Sequence, residues 1–264
     1  MRVTLLGTGG SAGVPMLGGA DGRGDWGACD PAEPRNIRTR SSIAIQAAGV
    51  NEALLVDTTP DMRQQLLAAG IARVGAVIYT HAHADHITGL DDVRILNRII
   101  ERPIEAYGTE GTLAELQKRF GYAFRPWKPP FFFRPALLPQ PVTPEGSVEA
   151  AGLHVNLFDQ DHGMTHTLGL RVGGFGYSTD AVALDDRAFE ILAGVDTWVV
   201  GCFQRREHHT HAWIGRVREW VARLRPRRTV LTHMGNDMDW AWLRANLPAG
   251  IEPGYDGMVL DISV

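Results

Sequence analysis

The stretch Thr80-His81-Ala82-His83-Ala84-Asp85-His86 sits at the end of Val74–Thr80 (VGAVIYT), a short β-branched run that reads as a buried strand. Three imidazoles and one carboxylate fall within six positions, and a dry core cannot take them unless each finds a hydrogen-bond partner or a metal. In extended backbone His81 and His83 point the same way, and the turn that follows brings Asp85 and His86 to a neighbouring point. That geometry suits two cations side by side, the arrangement of two-metal hydrolysis. On these residues alone, a solvated polar loop and a single catalytic zinc stay open beside it.

Outward from this segment, strand and helix patterns alternate. Val3–Leu6, Ser42–Gln46 and Ala53–Asp57 precede it as strands. Pro60 opens a helix over Asp61–Ala69, and Gly18–Pro34 is loop. A helical stretch follows Asp92, then a strand at Ile104–Tyr107 and a helix at Thr112–Phe120. Gly121–Pro141 holds six prolines and six aromatic residues, which suits neither a regular helix nor a central strand. A self-packed loop, a dimer contact and an aromatic flap over a pocket are its three readings. Farther on come strands at Leu153–Phe158, Thr167–Val172, Phe175–Ser178, Thr197–Gly201, Thr229–Thr232 and Met258–Ile262. Ala212–Leu224 carries the apolar spacing of an amphipathic helix.

With 264 residues, 44% hydrophobic and 21% charged, the chain fits one α/β domain over residues 1–264. No apolar run approaches the length of a membrane span. The opening MRVTLLGTGGSAG places glycines where a signal peptide needs a long apolar stretch, so a cytoplasmic location with Cys29 and Cys202 reduced is expected. A net charge of −4 lends no support to nucleic-acid binding, which is not favoured.

The HxHxDH pattern of His81, His83, Asp85 and His86 resembles the signature of the metallo-β-lactamase superfamily, and further residues match in family order across the whole chain. The resemblance implies an αββα sandwich, two mixed sheets with helices on the outer faces, and a dinuclear site of Zn2+ or Mn2+. By that resemblance His81, His83 and His162 hold one metal and Asp85, His86 and His233 the other. Asp180, in GFGYSTDA, bridges them. His162 has His166 as a nearby competitor. Asp57 and Thr80 stand behind the ligands and orient the histidine loop; Asp57 also reads as a cap for the helix after Pro60.

Two features point within the superfamily to the phosphodiesterase branch. The run Gly7–Pro15 with Pro34–Asn36 and Arg38–Ser42 is similar to the opening of phosphoribosyl cyclic phosphate phosphodiesterases and, more distantly, of ribonuclease Z. His208-His209-Thr210-His211 stands where that branch places a histidine on the scissile phosphate. His211 is the candidate for acting on the leaving oxygen, with His208 in support and His209 solvated; a polar helix start capped by Thr210 is the plain alternative. The phosphonate-pathway enzymes add a structural zinc on N-terminal cysteines. Here only Cys29 remains, with Asp21, Asp25 and Asp30 as poor substitutes, so no such zinc is expected.

The expected activity is hydrolysis of a small phosphodiester, cyclic or nucleotide-like, by a hydroxide bridging the metals. Rivals are an RNA-processing nuclease with salt-dependent tRNA affinity, a thioesterase or lactonase with no need of His211, and a non-catalytic module that would have lost ligands. The expected partner is the small-molecule substrate, with a homodimer left open and no membrane.

Overall fold

A computed structural model of the chain describes residues 1–126 and 135–263. Apolar alternation along the strands builds two seven-stranded sheets among the described residues. The first sheet contains β1 (Arg2–Gly7), β2 (Ser42–Gln46), β3 (Ala53–Val56), β4 (Val74–Ile78), β5 (Ile104–Gly108), β6 (Leu137–Pro141) and β14 (Val259–Asp261), in the order β14-β1-β2-β3-β4-β5-β6. Pairing is antiparallel from β14 to β3 and parallel from β3 to β6. The second sheet contains β7 (Ser147–Ala150), β8 (Leu153–Asp161), β9 (His166–Val172), β10 (Phe175–Ser178), β11 (Thr197–Gly201), β12 (Arg228–Thr232) and β13 (Ile251–Pro253). It runs β13-β12-β11-β10-β9-β8-β7, parallel from β13 to β10 and antiparallel beyond.

Successive side chains leave a strand on opposite faces, so each strand feeds two cores. Val3, Leu5, Ile43, Ile45, Leu54 and Val56 face the second sheet, where Val155, Leu157, Leu170, Phe175 and Val199 meet them. The intervening Leu6, Ala44, Leu55, Val77 and Tyr79 turn outward under α1 (Met62–Ala69), α3 (Val93–Ile99) and α4 (Glu110–Phe124). On the far side Trp198, Val200 and Leu231 lie under α5 (Asp186–Leu192), α6 (Ile214–Leu224) and α7 (Trp240–Asn246). The one-turn α2 (Ala84–Ile87) follows β4 and carries Asp85 and His86. This is the αββα sandwich of the sequence reading.

Several boundaries differ from that reading. The helix expected at Thr112–Phe120 starts at Glu110, because the Thr109 hydroxyl accepts from the Thr112 N–H, and it continues past a kink at Phe120 to Phe124. The segment expected to be irregular, Gly121–Pro141, therefore contributes the last turn of α4 and also β6. Pro139 and Pro141 are tolerated there because β6 is an edge strand. Residues 127–134, on which the flap and dimer-contact readings centre, lie outside the described residues. The helix expected from Ala212 begins at Ile214, since Trp213 is extended at its cap. Among the described residues no helix is long and apolar enough to cross a membrane.

One buried carboxylate locks the strand ends of the first sheet. Asp256 accepts from the Thr8 N–H (2.9 Å) and hydroxyl (2.8 Å), and from the Thr39 N–H (2.7 Å) and hydroxyl (2.6 Å). In Asp256→Asn the amide NH2 would face one of these donors and leave it buried without an acceptor. The expected cost is about 1–3 kcal/mol. Thermal unfolding should show a midpoint lower by several degrees, and an unchanged midpoint would remove Asp256 from the account of the fold.

Candidate metal centre

Most polar residues of the site stand just beyond the carboxyl ends of strands, where open α/β sheets place their ligand crevices, while Asp85 and His86 ride on α2 and His211 precedes α6. β3 delivers Asp57, β4 delivers Thr80 and His81, β8 delivers His162, β10 delivers Asp180 and β12 delivers His233. Three of these residues take left-handed backbone, with φ of 64° at Asp57, 52° at Asp180 and 53° at His233. Non-glycine residues rarely adopt it, and each such position costs on the order of 1–3 kcal/mol that the surrounding structure must offset. The chain turns sharply at each strand end and aims the side chain into the seam between the sheets.

Hydrogen bonds fix which atoms face the centre. Asp57, with a fully buried side chain, accepts from the Thr80 N–H (2.8 Å), from the Thr80 hydroxyl (2.8 Å) and from His86 Nδ1 (2.7 Å). Thr80 Oγ1 thus spends its proton on Asp57 and is left to accept from His81 Nδ1 at 3.0 Å. The Thr210 carbonyl accepts from His162 Nδ1 at 2.7 Å. Gly163 permits that contact: its φ is +82°, and a Cβ there would sit 2.9 Å from Thr210 Cγ2. In all three imidazoles Nδ1 is engaged as a donor, so Nε2 of His81, His86 and His162 is the atom that points inward.

Those nitrogens converge with the carboxylates. Ligand atoms of His81, His83 and His162 lie within 4.8 Å of one another, and so do those of Asp85, His86 and His233. Asp180 borders both groups: Oδ2 is 3.2 Å from His86 Nε2, while Oδ1 is 3.2 Å from His233 Nε2 and 3.8 Å from His162 Nε2. The Thr179 hydroxyl donates to Asp180 Oδ2 at 2.7 Å and holds the carboxylate in place. His211 also belongs here, with Nδ1 3.5 Å from Asp180 Oδ1. His208 makes ring contacts with Phe203 and His211, at 5.0 and 5.2 Å, and its Nδ1 accepts from the Thr210 N–H at 3.3 Å. The competitor His166 lies apart; its side chain is 68% exposed and pairs with Asp159 at 2.6 Å. His209 is exposed as well.

The electrostatics fit a divalent cation. His81 Nε2, His86 Nε2 and both His233 nitrogens are buried without a hydrogen-bond partner among the described residues, a cost that coordination removes. Burial, with help from neighbouring imidazoles, pushes His81 well below its ordinary range and lowers His83. It takes His211 down to about 3. These rings are neutral bases at pH 7, the form that ligates. For Asp180, burial opposes ionisation, but His233 and His86 outweigh it and hold the carboxyl well below the usual range. Asp85 and Asp180 add carboxylate oxygens to the imidazole nitrogens, a mixed N/O set suited to zinc or manganese.

At the other end of the N-terminal loop the expected poor ligands have other work. Asp21, Asp25 and Asp30 accept from backbone N–H groups two residues on, and the buried Arg38 guanidinium lies 3.9 Å from Cys29 Sγ. Cys29 and Cys202 are free thiols. The sequence reading misses Phe203, whose ring is 5.0 Å from that of His211. Its signal is position: Cys202 and Phe203 follow the buried strand β11 as Asp57, Asp180 and His233 follow theirs.

In Asp57→Asn the amide cannot accept from Thr80 and His86 together without turning an NH2 on one of them. Apparent metal affinity should fall about 10–100-fold in a chelator competition. Unchanged affinity would detach Asp57 from the centre.

Residues 52–234 match the family model described as the β-lactamase superfamily domain. The octanoyltransferase of Porphyromonas gingivalis (strain ATCC BAA-308 / W83) is 31% identical over 260 residues, covering 98% of this chain and 51% of that protein. The chain spans about half the length of the curated relatives it matches. Among solved structures, a diphosphatase from the PhnP family is 32% identical with a TM-score of 0.88, covering 100% of this chain and 98% of that one. Zn(2+)-bound PqqB from Methylobacterium extorquens, at 21% identity and a TM-score of 0.75 over 99% of this chain and all of its own, shares the fold. With its fold and its strand-end histidines and aspartates in this order, the chain belongs to the metallo-β-lactamase superfamily.

Proposed function

We propose that the protein is a hydrolase of small phosphodiesters, cyclic or nucleotide-like, that works with two divalent ions. His81, His83 and His162 would hold one ion and Asp85, His86 and His233 the other, with Asp180 shared. When bound, the cations supply Lewis acidity, neutralising charge on phosphoryl oxygens and lowering the pKa of a water towards ~7. The observation that carries the reading is His211. It stands 3.5 Å from Asp180, yet the two triads are complete without it, so its imidazole is free for the substrate. Neutral by itself at pH 7, the ring gains basicity beside the negative phosphodiester and then stabilises or protonates the oxygen that leaves phosphorus, while Asp180 and His162 flank it and restrict its approach. The 32% identity to a diphosphatase over the full chain supports the same class.

Acyl transfer or hydrolysis is the second reading, favoured by the likeness to an octanoyltransferase. That protein is about twice as long as this chain, and octanoyl transfer gives His211 no evident task.

Metal analysis of protein purified without chelator should give about two ions per chain, and Asp180→Ala should lower the occupancy of both sites together. Loss of one ion alone would make Asp180 a terminal ligand.

A turnover panel of cyclic phosphates, linear dinucleotides, lactones and an octanoyl thioester tests the reaction class. Phosphodiester turnover is expected; rapid thioester or lactone hydrolysis without it would overturn the reading, and steeply salt-dependent tRNA cleavage would favour a nuclease. His211→Ala should keep its metals and lose roughly 10²–10⁴ in turnover, the usual range for a general acid. The loss should be smaller for a nitrophenolate leaving group than for an alkoxide. Metal loss in this variant would reassign His211 as a ligand.

A further inference from the structure

We propose that Phe203 is the positioning residue for His211, an inference that rests on the phosphodiesterase reading above. Four rings pack together in the site. His86 and His233 lie 5.9 Å apart at 20°, His233 and His211 4.9 Å apart at 23°, and His211 and Phe203 5.0 Å apart at 32°. Phe203 also lies 6.2 Å from His233, so it sits beside the His233–His211 pair.

The members are not equally held. His86 is tied by its hydrogen bond to Asp57, and His233 faces Asp180 and Asp85. His211 has only the 3.5 Å approach to Asp180, which exceeds a good hydrogen bond. Rotation about the last side-chain torsion of histidine is soft, so its ring plane is set by what packs against it. That packing comes from His162 at 4.7 Å, His233 at 4.9 Å, Phe203 at 5.0 Å and His208 at 5.2 Å, and of these four rings Phe203 is the apolar one.

Phe203 is itself immobilised. Its N–H donates to the Ala212 carbonyl at 2.8 Å, and its carbonyl accepts from the Gly235 N–H at 2.8 Å. Its ring edge presses on Gly10, where a Cβ would stand 2.9 Å from Cε2 and 3.1 Å from Cδ2. Gly10 is outside the left-handed region, so the missing side chain serves space rather than backbone conformation. The glycine-rich loop after β1 thus backs Phe203, Phe203 backs His211, and His211 meets the substrate.

The test uses zinc-loaded protein with Phe203→Leu, Phe203→Tyr, Gly10→Ala and the Phe203→Leu/Gly10→Ala double variant. Leucine keeps apolar volume and loses the flat face. Phe203→Leu should retain both metals and lose on the order of tenfold in kcat on an alkoxide-leaving phosphodiester, with KM little changed. The loss should shrink for nitrophenolate, and Phe203→Tyr should restore the rate. Gly10→Ala should mimic Phe203→Leu, and the double variant should lose less than the sum of the singles. Wild-type kcat in Phe203→Leu, equal losses in the leucine and tyrosine variants, or equal losses for both leaving groups would overturn the proposal.

A second readout needs no substrate. The His211 Cε1–H resonance should carry a ring-current contribution from Phe203 that Phe203→Tyr keeps and Phe203→Leu removes; a shift unaffected by leucine would overturn the positioning. Absence of phosphodiester turnover in the wild type would instead count against the functional reading.

Discussion

Asp57 accepts three hydrogen bonds in a place with no access to water, two from Thr80 and one from His86. In that low-dielectric setting an unmatched donor or acceptor is expensive, so every proton along the path has one sensible position. The Thr80 hydroxyl proton goes to Asp57, the His81 Nδ1 proton goes to Thr80, and the His86 Nδ1 proton goes to Asp57. The inward-facing atom of each ring is thereby Nε2, a lone pair in the neutral His81; at His86 burial opposes a proton, but the carboxylates of Asp180 and Asp57 outweigh it and favour one until a cation takes its place. One carboxylate that points away from the centre decides the chemistry of the atoms that point into it.

The sandwich makes this arrangement affordable. Between the sheets the core is aliphatic and aromatic along most of its length, and polar groups gather at one end of the seam. The parallel strands β3, β4, β10, β11 and β12 all finish there, so residues far apart in sequence arrive together without long loops. The left-handed turns at Asp57, Asp180 and His233 are tolerated because the strands before them are pinned on both sides. Strain is concentrated where side chains need to be aimed, while the aliphatic layers on either side stay regular.

The buried strands are legible in the sequence because each is a β-branched or aliphatic run that stops at a polar residue, as VGAVIYT stops at His81. The same pattern exposes Asp57, Asp180 and His233. The choice between His162 and His166 is a matter of register: His166 begins β9 and points out, and His162 lies in the turn before it, facing the site. Edge strand β6 is hidden by Pro139 and Pro141, whose usual message is loop. Phe203 and Asp256 escape for another reason. Each acts through contacts with Gly10, His211, Thr8 or Thr39, residues remote in sequence, and no local periodicity records such contacts.

The pairing of β1 with β14 has a further consequence for the order in which the molecule is made. Arg2 aligns with Asp261 and Thr4 with Val259, so β1 waits for β14, far along the chain, before its outer edge is covered. The loop after β1, which carries Thr8 and Gly10, waits as well, because the carboxylate of Asp256 that fastens Thr8 emerges at the same late stage. A nascent chain can assemble the strands around His81–His86 while its N-terminal edge is still open, and an open edge is where chains adhere to one another. Completion of the first sheet therefore cannot precede the emergence of residues 256–261.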